Sequence, residues 1–267
     1  MKKYRVLIPI LLALTSCQEL IELDLQSAGP RVVAEANLDA TKGRCTVALS
    51  QSGDFYETNT LDKIEGASVQ LNASTGEIWM LKGLGNGQYY LDNLVIVPGM
   101  RFGLNVVLPG GTSIGAAEVQ APVWVGLDTL MVEKTADGGL NGSPGAGKYT
   151  LTAVWQDHAG EANYYRLKIY KNGALQAGTY ILADDRLGDG ETIMRPVIRE
   201  TYSLGDTLRV QLLSVSKGYY DYFTDMANFE GRGLSAPTPF NPKSNWSDDI
   251  LGYYGVWQVS EKTVLVQ

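Results

Sequence analysis

From residue 31 onward, apolar and polar residues alternate in short runs bounded by clusters of Gly, Pro, Asn and Ser. That is the period of strands with one buried face. In the first half the pattern predicts strands over 31–36, 45–50, 67–72, 78–82, 88–94 and 102–108. In the second half it predicts 148–156, 164–170, 179–183, 196–201 and 207–214, with a last strand over 256–260. Strands recurring at about 8–12 residues indicate a sandwich. Lys171-Asn172-Gly173 reads as a hairpin turn. One segment changes period: over 217–230, Tyr219, Phe223, Met226 and Phe229 or Ala227 fall on one helical face, with Ser216 as N-cap. This helix is expected to plug one end of the second sandwich.

The segment Ala121-Pro122-Val123-Trp124-Val125 leads into Asp128-Thr129-Leu130, where the second set of strands begins, so a boundary falls near residue 125. The expected fold is all-β: two tandem β-sandwich domains, 30–125 and 126–267, the second carrying the one short helix. The glycine-rich stretch 137–147 is a loop between strands, because strand patterning resumes at once beyond it. In the first half, Gly66-Ala67-Ser68-Val69-Gln70-Leu71, Gly87-Gln88-Tyr89-Tyr90-Leu91 and 98–106 form a series that resembles prealbumin-like modules of the carboxypeptidase regulatory-domain type. The second domain is expected to be of the same prealbumin-like or Ig-like kind.

Ahead of the strands, Lys2, Lys3 and Arg5 precede an apolar run from 6 to 14 that ends in Leu14-Thr15-Ser16-Cys17. This pattern is a lipoprotein export signal, too short to span a bilayer, with cleavage before Cys17. Residues 1–16 are then the signal peptide, Cys17 the lipidated (palmitate-type acyl) residue, and 17–29 a tether. Each methylene buried in the bilayer adds about 0.8 kcal/mol of membrane affinity. Loss of Lys2, Lys3 and Arg5 takes the formal charge from −7 to −10. That balance disfavours nucleic acid and broad contact with anionic headgroups, and leaves the acyl chains to hold the membrane. With Cys17 acylated, Cys45 is the remaining thiol of two, so an internal disulfide is excluded. Positions 45, 47 and 49 share one strand face, which makes Cys45 a small core hydrophobe.

Candidate chemistry is sparse. The one histidine, His158, sits in the turn Gln156-Asp157-His158-Ala159-Gly160, which excludes a histidine-built zinc site by count. The stretch Gly142-Ser143-Pro144-Gly145-Ala146-Gly147-Lys148-Tyr149 mimics a phosphate loop. However, Tyr149 stands where Ser or Thr is needed, a proline interrupts the loop, and the flanks are strands. The acidic loop 184–191 offers Asp184, Asp185 and Asp189 as weak calcium candidates, but its spacing does not fit a calcium hand, and a solvated turn is the favoured reading. No cofactor and no enzymatic activity are expected.

The chain ends in a proline-rich run followed by Asn245-Trp246-Ser247-Asp248-Asp249-Ile250-Leu251-Gly252-Tyr253-Tyr254-Gly255. Together with the lipobox, Val32-Val33-Ala34-Glu35-Ala36, Asp54-Phe55, Gly66-Ala67-Ser68-Val69 and Ser216-Lys217-Gly218-Tyr219-Tyr220-Asp221-Tyr222, this ending resembles the Bacteroidetes lipoprotein family called domain of unknown function 4249. One departure is Asp248-Asp249-Ile250-Leu251-Gly252, where the family pattern leads one to expect an Asn-Gly-like turn. The resemblance implies a non-enzymatic outer-membrane lipoprotein, on the periplasmic or cell-surface face, acting as accessory or ligand-capture partner of a TonB-dependent transporter for a small ligand or peptide. Asp128-Thr129-Leu130 and Asp206-Thr207-Leu208 look like that phylum's short O-glycosylation motif. Trp246, Tyr253, Tyr254 and Trp257 are the candidate contacts, since Tyr and Trp give much contact area at low entropic cost. Packing of the second sandwich is their alternative use. For the whole protein the alternative is an adhesion or envelope-structural spacer.

Overall fold

The computed structural model describes residues 29–53, 61–135, 148–176, 180–197, 200–230, 240–247 and 249–267. The signal, Cys17 and most of the tether lie outside the described residues, as do Asp54-Phe55, the glycine-rich stretch 137–147, 231–239 and Asp248. The first half forms β1 (Val32–Asp39), β2 (Arg44–Gln51), β3 (Asp62–Lys63), β4 (Ser68–Ala73), β5 (Ile78–Met80), β6 (Lys82–Gly85), β7 (Gln88–Leu91), β8 (Arg101–Val107) and β9 (Ser113–Gln120). The second forms β10 (Thr129–Lys134), β11 (Lys148–Gln156), β12 (Tyr164–Lys171), β13 (Ala174–Leu175), β14 (Ile181–Asp184), β15 (Thr192–Pro196), β16 (Tyr202–Ser203), β17 (Thr207–Val215), helix α1 (Lys217–Glu230) and β18 (Leu251–Leu265). No described helix is long and apolar enough to cross a membrane.

Among the described residues the protein is all-β with one helix, and it makes two sandwiches. A long sheet runs in the order β13-β12-β17-β18-β1-β2-β7-β6. Against one half of it packs β5-β4-β8-β9, and against the other half β10-β11-β15. The first core holds Ala36, Leu38, Val47, Leu71 and Phe102; the second holds Leu151, Trp155, Leu167, Val210 and Leu212. The chain crosses between them over 121–127, with Ala121 in the first core and Val125 and Leu127 in the second. A third cluster lies on the outer face of the long sheet, where Tyr219 and Phe223 of α1 cover Leu213 and Val215. The expected helical face is therefore a sheet-covering face, not an end plug.

The expectation that 126–267 all belong to the second sandwich needs a correction. β18 pairs in parallel with β1 from Leu251 to Trp257, then antiparallel with β17 from Trp257 to Leu265. Trp246, Tyr254 and Val256 consequently lie in the first core. Ahead of β18, the chain also closes the edge of β9: Ala117 N–H donates to Asn245 O at 2.8 Å, and Ser247 N–H to Gly115 O at 2.6 Å.

Smaller differences have local causes. β9 was not expected because Gly115, Ala116 and Ala117 give it little strand propensity. Where a strand is expected over 196–201, the described strand is Thr192–Pro196; Val197 N–H still donates to Leu151 O at 2.9 Å, and 198–199 lie outside the described residues. The last strand runs beyond both expected ends. The Asn172-Gly173 turn has φ of 50° and 86°, the doubly left-handed form of a two-residue hairpin. Ser216 stands at the N-cap position, its carbonyl accepting from Tyr220 N–H, yet its hydroxyl accepts from Val256 N–H at 3.3 Å and so ties α1 to β18. Cys45 is fully buried, and that burial pushes its thiol up to about 12.

Two glycines of the C-terminal motif are required by close approach. Gly252 has φ of 98°, and a Cβ there would lie 2.2 Å from Ala34 O. A Cβ on Gly255 would lie 2.5 Å from the Tyr219 ring. Asn245 uses its amide as a substitute peptide unit, accepting from Tyr254 N–H at 2.8 Å and donating to Tyr254 O at 2.8 Å. Gly255→Ala is expected to lower stability by about 1–3 kcal/mol through overpacking, and Asn245→Ala by about 1–3 kcal/mol by leaving buried main-chain groups unpaired. Urea unfolding of the two variants beside wild type measures both; an unchanged midpoint for either would remove the role given to that residue.

Candidate functional site

Strand alternation separates the four C-terminal aromatics into two pairs. Tyr254 and Trp246 are 0% and 6% exposed inside the first core, so neither can meet a ligand or partner, and for them the contact expectation is corrected. Tyr253 and Trp257 take the opposite face of β18 and pack beneath α1. The Tyr253 ring lies 5.0 Å from Phe223 and 5.0 Å from Tyr222, and its hydroxyl donates to Asn37 Oδ1 at 2.9 Å. Trp257 lies 5.4 Å from Tyr219, with the Lys168 ammonium 5.5 Å from its own ring. These rings fasten the helix to the sheet. Beside them the Arg166 guanidinium lies 4.0 Å from the Phe223 centroid and donates to Tyr219 Oη at 2.5 Å.

The acidic loop is split as well. Asp184 turns to Arg186, 2.8 Å away, and accepts from Tyr220 Oη–H at 2.6 Å. Burial raises its pKa, but these bonds outweigh burial and hold the carboxyl below its ordinary value. In its place Asp157 joins Asp185 and Asp189, with oxygens of all three within 4.8 Å of one another. Asp157 and Asp185 are buried. Each of the three carboxylates accepts from a main-chain N–H: Asp157 from Gly190, Asp185 from Asn163 and Asp189 from Gly160. Asp157 also accepts from Tyr165 Oη–H at 2.5 Å. Among the described residues none of the three meets a Lys or Arg. Their observed work is to clamp the loop 157–163 against the loop 185–190. His158 lies at the edge of this cluster, half exposed and 3.7 Å from Glu161.

Next to that clamp is a cleft of about 240 Å³, bounded by residues 120–123, 161–165 and 214–217. The first segment is the crossing between the sandwiches, the second leads into β12, and the third joins β17 to α1. The walls are therefore drawn from both sandwiches, the kind of position where small-molecule sites concentrate. Gln258 Nε2 donates to Pro122 O at 2.7 Å and fixes the crossing over β18. Ser214, 3% exposed, lines the cleft, and among the described residues its hydroxyl has no hydrogen-bond partner. A buried polar group left unpaired costs about 1–3 kcal/mol, which a hydrogen-bonding partner in the cleft would relieve.

The sequence reading missed both Ser214 and Asp157. Ser214 had a signal, a polar residue at the inward parity of Leu208, Val210 and Leu212. Asp157 had none beyond its neighbour His158.

The family model described as Domain of unknown function (DUF4249) matches residues 18–263. No curated protein matches the chain. Among solved structures, a two fibronectin type-III domain segment from chicken tenascin is similar at 12% identity over 69% of this chain and 90% of that chain, with a TM-score of 0.23. That likeness is too remote to carry an argument.

Lys168, beneath the aromatic cluster, is pushed down to about 8 by burial, with Arg166 adding repulsion. Because the folded pKa lies below the ordinary value of 10.5, the unfolded chain binds more protons between the two values, and this group's contribution to stability rises with pH across that window. Below it the penalty acts in full. The stability gained by Lys168→Met is therefore expected to be largest at neutral pH and to shrink as pH rises toward 10. Urea unfolding of both proteins at a series of pH values reads this directly; a constant difference would contradict it.

Proposed function

This chain belongs to the DUF4249 family, and from that premise we propose that it is a non-enzymatic outer-membrane lipoprotein, held by acylated Cys17, that serves a TonB-dependent transporter by capturing its ligand. The observation that carries the capture role is the cleft between the sandwiches with the buried, unpartnered Ser214 hydroxyl. The export pattern ending in Cys17 supports the membrane attachment. The transporter partnership rests on what the family resemblance implies. The absence of a catalytic role is supported by His158, the only histidine, which faces Glu161 across an exposed turn, and by the three clustered carboxylates, which are occupied as loop clamps.

Of the four aromatics once assigned to contact, only the partly exposed edges of Tyr253 and Trp257 remain available to a partner. The capture surface is therefore assigned to the cleft.

Tagged, lipidated protein recovered from mildly solubilised outer membranes is expected to bring down a TonB-dependent transporter in near-equal amount, identified by mass spectrometry. Cys17→Ala should release the protein from the membrane fraction. Recovery of the protein alone would replace this reading with an adhesion or envelope-spacer role.

A further inference from the structure

The chemistry of the cleft narrows what it holds. Its apolar surface comes from Ala121, Pro122, Val123 and Val215, which suits a short aliphatic skeleton. Two of its polar groups are already committed. The Ser216 hydroxyl accepts from Val256 N–H, and the Lys217 ammonium bridges Asp221 at 2.6 Å. The lysine charge is thereby offset where it stands. Among the other polar groups of the lining are the Ser214 hydroxyl, buried and, among the described residues, unpartnered, and the Glu161 carboxylate, 41% exposed, with the His158 ring 3.7 Å away.

Around the cleft, carboxylates outnumber cations. The loop that carries Glu161 is clamped from behind by Asp157, Asp185 and Asp189, none of them bridged to a Lys or Arg among the described residues. An excess of one sign of charge around a site concentrates ligands of the opposite sign. An anion would meet Glu161 at the rim, while the Lys217 ammonium is already paired with Asp221. A cation meets a partner.

We propose that this cleft binds a small aliphatic ammonium compound, its positive head at Glu161 and a hydroxyl or carbonyl oxygen at Ser214. The assignment deepens the capture reading and rests on it. The volume of about 240 Å³ equals about eight waters at ~30 Å³ each, which is room for a molecule of roughly that many heavy atoms. Pairing of a half-exposed carboxylate supplies selectivity for charge, while the buried hydroxyl gains the partner it lacks.

The test uses three probes on one skeleton: 5-amino-1-pentanol, 5-hydroxypentanamide and 5-hydroxypentanoate, which carry a positive, a neutral and a negative end. They are titrated into the full-length protein by calorimetry, with the amide resonances of Ala162 and Val215 followed by NMR. The amine is expected to bind saturably and at least about tenfold more tightly than the amide, and the carboxylate not at all. Glu161→Gln, at the exposed rim, should bring the amine down to the amide's affinity and leave the amide unmoved. Ser214→Ala should weaken amine and amide alike by up to about tenfold. The proposal is overturned if the amine fails to saturate the wild-type protein, if the carboxylate binds as well as the amine, or if Glu161→Gln leaves the amine's advantage intact. These titrations involve no transporter. Their failure beside an intact pull-down discards this ligand class and keeps the accessory role, and the converse pair of results separates the two claims in the other direction.

Discussion

The structure depends on one strand changing partners. β18 leaves the parallel ladder with β1 and enters the antiparallel ladder with β17 at Trp257, the residue that is paired on both sides, to Asp39 and to Val215. Through that handover two sandwiches share a continuous sheet instead of meeting across a linker. The partners in the β1–β18 ladder are more than two hundred residues apart, so the first sandwich cannot close until the end of the chain is in place. Contacts of such separation are reached late and slowly, because loop-closure entropy is spent before they form. The motif at the C-terminus is therefore a closing element of the N-terminal unit.

A strand that changes partners leaves one open edge on each side of the handover, and such edges invite association. Here side chains fill both. Before Trp257, the edge facing α1 is met by the Asn245 amide at Tyr254 and the Ser216 hydroxyl at Val256. After Trp257, the edge abandoned by β1 is met by Thr41 Oγ1, which accepts from Val259 N–H at 2.7 Å, and by the Trp124 indole, which donates to Val259 O at 3.1 Å. Gly252 and Gly255 belong to the same arrangement. One lets β18 approach Ala34, the other lets the Tyr219 ring rest on the strand. The spacing of glycines and aromatics in the motif is thus the imprint of packing on two faces and pairing on two edges.

This accounts for what was legible in the sequence. Periodicity located most strands, both ends of the helix and the Asn172-Gly173 turn, because each depends on residues close along the chain. The partition of Tyr253 and Trp257 from Tyr254 was also available, as parity along one strand. Which sheet received them was not, since parallel pairing between the two ends of a chain leaves no local trace. Asp157 went unnoticed for a related reason. A loop carboxylate becomes buried only when another loop, here 185–190, folds over it. Ser214 was hidden by an apolar neighbourhood, Leu212-Leu213-Ser214-Val215, in which one small polar residue draws little notice.

The shared sheet also determines the character of the cleft. Were the sandwiches joined only through 121–127, a pocket between them would widen and narrow with their relative motion, and binding would carry the cost of ordering them. The crossing is instead fastened to the long strand at three points: Pro122 O by Gln258 Nε2, the Trp124 indole to Val259 O, and Leu127 N–H to Ser260 Oγ at 2.9 Å. The opposite wall is fastened by the Asp157, Asp185 and Asp189 clamp, and the floor is β17 itself, paired to β18 through Ser214 and Gln258. All three walls are thus referred to one sheet. A cleft so braced, holding an unpaired hydroxyl, would be preorganised for the ligand proposed above, and the free energy of contact would go to affinity instead of to assembling the site.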